Sequence, residues 1–154
     1  MNIQDADTLA EVLRQVAQKQ AFVFSEEVSV EDAEAPEDGG LLMRSSISFL
    51  GPCSGSIKIA MPETVCDLVA ENILGLEDGQ ASSMREEAKD VIAELLNVLC
   101  GQFLTAIEGD KPVFNLSVPE ILIIDEAQWN SLRDEPGCRA IAIENFPILV
   151  SLEL

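Results

Sequence analysis

The chain has 154 residues and a net charge of −19, from 28 acidic against 9 basic side chains. A nucleic-acid binder and a reader of anionic membranes both need a basic footprint, and this composition excludes one. There is no histidine, and the four cysteines form no C-x-x-C pair, which argues against a zinc centre or a histidine-based triad; 47 % apolar and 5 % aromatic residues describe one domain with an aliphatic core.

The N-terminus lacks a basic region followed by an apolar run, so no signal peptide is predicted. A cytoplasmic protein with reduced thiols is expected. Residues 5–19 are predicted as a helix: Leu9, Val12, Leu13 and Val16 fall at i, i+3, i+4 and i+7, with Asp5 or Asp7 as cap. Ala21 to Val30 alternates and is predicted as a strand, with Phe22, Phe24, Val28 and Val30 on one face. The acidic text EDAEAPEDGG, 31–40, reads as a mobile, solvated loop, with a docking element for a basic partner as the alternative.

Leu41 to Leu50 alternates again, with Met43, Ile47 and Phe49 on one face. GPCSG is a turn, and Ser56 to Met61 is its hairpin partner, with Ile57, Ile59 and Met61 inward. Pro62 suits the first turn of a helix that runs to Gly75.

Ser82 to Gly109 is predicted as one long helix. Ser83 and Glu86 have capping-box spacing, and Gly109 with Pro112 stops it. At about 100° per residue, a narrow arc collects Ser83, Glu87, Asp90, Glu94, Asn97, Gly101, Thr105 and Glu108. The remaining circumference is apolar from Val91 to Ile107 and includes Cys100, which reads as a small buried hydrophobe. The pattern is a polar stripe on a mostly buried cylinder, so Asp90, Glu94 and Asn97 are expected exposed and Leu95, Leu96, Val98 and Leu99 buried.

Val113 to Val118 and Ile121 to Ile124 are strands around Pro119. The polar stretch 125–138 forms a turn of helix around Trp129, which covers the core edge or contacts a partner. Arg139 to Glu144 and Ile148 to Leu154 form a terminal hairpin. The whole is α+β: about three helices packed on a largely antiparallel sheet of about six strands.

The stripe contains Asp90-x-x-x-Glu94-x-x-Asn97 with Gly101 one turn on, followed by the strand at Pro119. Here the chain resembles the CheC/CheX/FliY family of chemotaxis phosphatases, whose signature is an acidic residue or Ser, then Glu, then Asn at this spacing on a helix. The preceding helix repeats the spacing as Asp67-x-x-x-Glu71-x-x-Leu74, with Leu where the Asn would stand. The chain therefore looks like a single-site, CheX-like member, and Asp67 and Glu71 read as a plain solvated face.

The resemblance implies dephosphorylation of a CheY-type response regulator. It implies catalytic roles for Glu94 and Asn97 and partner-binding roles for Asp90 and Gly101. Gly101 either leaves room for the partner or packs against the chain's own neighbours. No cofactor is expected of the chain's own, since Mg²⁺ would sit on the partner. A homodimer through the sheet is expected, with 148–154 as the apolar edge. The alternative is a non-catalytic module of the same fold that binds a response regulator or motor-switch component.

Overall fold

The computed structural model describes residues 1–37, 40–83 and 85–154. In chain order it comprises α1 (Asp5–Ala21), β1 (Ser25–Val28), β2 (Leu42–Leu50), β3 (Ser54–Pro62), α2 (Glu63–Leu74), α3 (Arg85–Glu108), β4 (Asn115–Leu116), β5 (Glu120–Ile124), α4 (Glu126–Arg133), β6 (Cys138–Ile143) and β7 (Phe146–Glu153). One sheet runs β1-β6-β7-β3-β2-β4, with β5 beside β4 along the outer side of β2. Every pairing is antiparallel. The fold is α+β, as expected, with one more strand and one more helix than the sequence suggests.

The central hairpin sets the register, pairing Met43 with Met61 and Ile47 with Ile57. Side chains alternate across a strand, so these residues face α1, α2 and α3 and join the main core with Ile141, Ile148, Val150 and Leu152. Leu42, Ala60, Ala140 and Leu149 face the other way and meet α4 in a second core. Trp129 is fully buried there and its indole N–H donates to the Ala33 carbonyl at 3.0 Å. It covers core and is not a partner contact. Asp125 and Gln128 form the capping box that starts α4.

Several expectations are corrected. The strand over 21–30 shrinks to β1, because α1 continues to Ala21 and ends on Phe22 in the left-handed region at φ 58°. The alternation slips by one: Val23 enters the core while Phe22 and Phe24 are 71 % and 77 % exposed. No Asp caps α1; its N-cap is Gln4, and Asp5 and Asp7 lie inside the first turn, where they complement the helix dipole. The 31–40 loop is not simply solvated, since Ala33 is fully buried under Trp129; its Asp38 and Gly39 lie outside the described residues. Finally, β7 is no edge. It pairs with both β6 and β3, and Ile148 to Leu152 are buried.

Glu71 is likewise not on a solvated face. It is 8 % exposed, and its Oε2 accepts the Gly79 and Ala81 backbone N–H groups at 2.8 and 3.1 Å. Its carbonyl accepts the Leu76 N–H at 2.9 Å. Arg85, at the start of α3, reaches back to Glu63 at 2.7 Å and Asp67 at 3.9 Å. The second acidic spacing thus ties α2 to the start of α3. The Ser83 part of the expected capping box involves a side chain outside the described residues. Glu71→Ala removes a charged acceptor of two backbone bonds and should cost roughly 1.5–3 kcal/mol, whereas Glu71→Gln should cost less because it keeps an acceptor. Urea denaturation of both variants checks this; equal stability of Glu71→Ala and wild type would refute it.

Candidate functional site

The site lies on α3 because of how that helix is packed. Ala88, Ile92, Leu96, Leu99, Cys100, Phe103 and Leu104 are its buried residues. They recur at the spacing of one helical face, and α3 lies on α1, α2 and β2. By length and composition α3 could cross a membrane; in this fold that apolar face is a core face. The opposite face carries Glu87, Asp90, Glu94, Gly101 and Thr105, all exposed.

The expected pattern holds for Asp90, Glu94, Leu96 and Leu99 and is corrected at Leu95, Val98 and Asn97. Leu95 and Val98 are half-buried, as are Val91, Ala93 and Ile107. A helix in an outer layer touches neighbours on one side only, so its apolar flank remains partly open. Asn97 is also half-buried, one residue from the core-facing Leu96. Within the described residues, no side-chain hydrogen bond or ion pair engages Asp90, Glu94 or Asn97; Lys89 pairs with Glu86, and Arg85 with Glu63. The three polar groups are therefore free for another molecule. Asp90 and Glu94 are one turn apart, and Asn97 lies about 4.5 Å further along the axis at 1.5 Å per residue.

Gly101 is exposed, and a Cβ built there would meet nothing within 4 Å. Packing against the chain's own neighbours is not the reason for glycine at this position.

No thiol is a candidate nucleophile. Burial pushes Cys66 and Cys138 up to about 12 and Cys100 up to about 11. Cys53 is raised by burial and by Glu108, whose Oε1 lies 3.7 Å from its Sγ. All four cysteines are free. Among the described residues, no cluster of three or more Cys, Asp or Glu side chains is placed to hold a metal.

The sequence reading missed a groove. It lies between the end of α2 and α3, has a volume of about 370 Å³, and is floored by Ile73, Leu74, Val91, Leu95 and Val98. Glu87, Asp90 and Glu94 line it too, so two residues of the motif also rim the groove. The available signal was the row of apolar residues beside the polar stripe.

A family model described as chemotaxis phosphatase CheX matches residues 43–141, which span the entire motif. No curated protein matches. Among solved structures, the chain is similar to the chemotaxis protein CheX from Vibrio vulnificus, with TM-score 0.68 and 13 % identity over 96 % of this chain and 93 % of that one. It is similar to a chain of the CheX–CheY–BeF3–Mg²⁺ complex from Borrelia burgdorferi, with TM-score 0.66 and 18 % identity over 99 % and 98 %. FliY from Thermotoga maritima matches at TM-score 0.57 and 13 % identity over 99 % and 91 %. At such identities these structures show the shared fold.

Because glycine costs about 0.5–1 kcal/mol against alanine in a helix interior, Gly101→Ala should stabilise the isolated protein. Calorimetry should show a melting temperature higher by about 2–4 °C per kcal/mol gained. A lower melting temperature would mean that the chain's own packing requires the glycine.

Proposed function

This chain belongs to the chemotaxis phosphatase CheX family, and we propose that it hydrolyses the aspartyl phosphate of a CheY-type response regulator. The observation that carries the proposal is the line Asp90, Glu94 and Asn97 on a helix whose other face is locked in the core, with no side-chain partner for any of the three among the described residues. Phosphoryl transfer needs orientation and charge stabilisation more than covalent help from the protein. The regulator brings its own Mg²⁺ and lysine, which neutralise charge on the phosphoryl group. This chain would supply a positioned water.

A carboxamide both donates and accepts, so Asn97 can hold a water in line with the bond to be broken. The water oxygen bonds to phosphorus as the phosphorus–oxygen bond to the aspartyl carboxylate breaks. The carboxylate leaves, and both protons of the water go to the new inorganic phosphate, which releases one to solvent according to pH. Glu94 pairs with the regulator's lysine in a charge-assisted contact and sets the register of the two proteins. Asp90 extends that contact one turn back. Gly101 leaves space one turn beyond, consistent with the open volume around it.

We place self-association, if the protein is a homodimer through its sheet, at the outer edge of β4 and β5. The β1 edge is Ser-Glu-Glu-Val and repels a copy of itself. The other edge carries exposed Leu116, Leu122 and Ile123, with Ile123 63 % exposed. Ile123→Lys should convert a dimer to a monomer by light scattering at micromolar concentration. A wild-type monomer there would overturn the assignment.

Binding and chemistry should separate. Asn97→Ala should leave affinity for a beryllofluoride-trapped regulator nearly unchanged. It should slow single-turnover hydrolysis by roughly 10²–10³, about 2.7–4 kcal/mol, as for loss of one preorganised polar group. Glu94→Lys should abolish association through like-charge repulsion. Wild-type hydrolysis by Asn97→Ala would remove Asn97 from the role. Binding without hydrolysis by the wild type would favour a non-catalytic module.

A further inference from the structure

The groove between α2 and α3 goes beyond what water positioning requires. Its floor is apolar, and Glu87, Asp90 and Glu94 line it without a single cation among the lining residues. None of these three carboxylates takes part in an ion pair among the described residues, although Glu86 on the same helix pairs with Lys89. Apolar surface bordered along its α3 side by unneutralised carboxylates repels an acidic occupant and favours one that brings apolar area and positive charge together.

A second observation comes from α1. Helices α2 and α3 end on glycines in the left-handed region, Gly75 at φ 68° and Gly109 at φ 80°. The corresponding position of α1 is Phe22 at φ 58°, where a glycine would be free of steric cost, and the ring is largely in solvent. Gln20, two residues earlier, lines the groove. The Asn72 amide donates to the Ala21 carbonyl at 3.0 Å and so pins this end of α1 to α2 immediately before Ile73 and Leu74. An exposed aromatic residue therefore follows, two positions on, a side chain that lines an open apolar groove whose α3 wall carries two residues of the motif. The left-handed turn itself serves the fold, since the Val23 N–H donates to the Ala17 carbonyl at 3.2 Å and Val23 enters the core, but glycine would make that turn at lower cost and the largely exposed Phe22 ring adds little to the core.

We infer that this groove, extended by Phe22, is the docking surface for the response regulator, and that it takes an apolar side chain that the regulator presents between lysine or arginine residues. The inference rests on the phosphatase reading for the identity of the partner. The regulator's cations face Glu87 and Asp90 while its apolar residue covers Leu74 and Val91. Docking in this way carries Glu94 and Asn97 to the phosphoryl group, because Asp90 and Glu94 belong to both surfaces. Affinity then resides in the groove and hydrolysis in Asn97.

The experiment uses the full chain and a regulator held with beryllofluoride and Mg²⁺, comparing wild type, Leu74→Ser, Phe22→Gly and Asn97→Ala. Leu74→Ser should weaken binding roughly tenfold, as expected for loss of a desolvated apolar anchor. Phe22→Gly should weaken binding severalfold while its melting temperature holds or rises, an outcome that damage to the fold cannot imitate. In hydrolysis the effect of both should fall on the regulator concentration at half-maximal rate. Wild-type binding should also weaken with added salt. Affinities of both variants within about twofold of wild type would overturn the docking surface, and if Asn97→Ala remained slow the phosphatase reading would stand alone. Variants that altered self-association and left regulator affinity intact would assign the groove to a second copy and overturn the inference. If the wild type bound without hydrolysis while both variants weakened binding, docking would stand and the phosphatase reading would fall.

Discussion

The structure depends on the burial of one face of α3. Leu96, Leu99, Phe103 and Leu104 are held between the sheet and the other two helices of that layer. A helix is a rigid rod with a fixed angular step, so committing one face to the core commits the opposite face to solvent. The orientation of Asp90, Glu94 and Asn97 is thus a consequence of apolar packing several ångströms away. No hydrogen bond within the described residues is spent on positioning them, which leaves their polar capacity for a partner.

The position of α3 along its axis is set by a different interaction. Glu71 binds the backbone at Gly79 and Ala81, and Arg85 is held by Glu63 and Asp67. These contacts fix the connection between α2 and α3 and keep the two helices at the separation that leaves the groove open. Two helices carry acidic residues at the same spacing and use them oppositely. On α2 the carboxylates are satisfied from within and stabilise the chain, and on α3 they are unsatisfied and exposed. Leu74 marks the same division, since it stands in the α2 spacing at the position that Asn97 holds in the α3 spacing.

The acidic surface fits this arrangement. A net charge of −19 works against compactness through self-repulsion, but it steers a basic surface towards the chain and discourages association with other acidic proteins. Phe22 and Phe24 are exposed within this charged exterior. Their exposure follows from a single event, the continuation of α1 to Ala21, which shifted the alternation of the next residues by one and turned Val23 inward.

Much was legible without coordinates. The α+β class, the long helix and the polar line on it follow from local periodicity, because the spacing of apolar residues reports the face each element buries. The β2–β3 hairpin was readable for the same reason, with a turn sequence between two alternating runs. Other features required the tertiary structure. That β7 is central rather than an edge depends on which strands come to lie beside it, and alternation within a strand does not encode its neighbours. Burial of Trp129 depends on a carbonyl 96 residues away in sequence. Glu71 looks like any acidic residue on a helix until the backbone of the following turn folds over it. The half-exposure of Leu95 and Val98, and with it the groove, depends on how far α2 stands from α3. The sequence by itself determined which residues can form the site, since side-chain chemistry and helical spacing are local. Only the tertiary structure decided which of those carboxylates are consumed internally and which remain for another molecule, because that depends on contacts between segments distant along the chain.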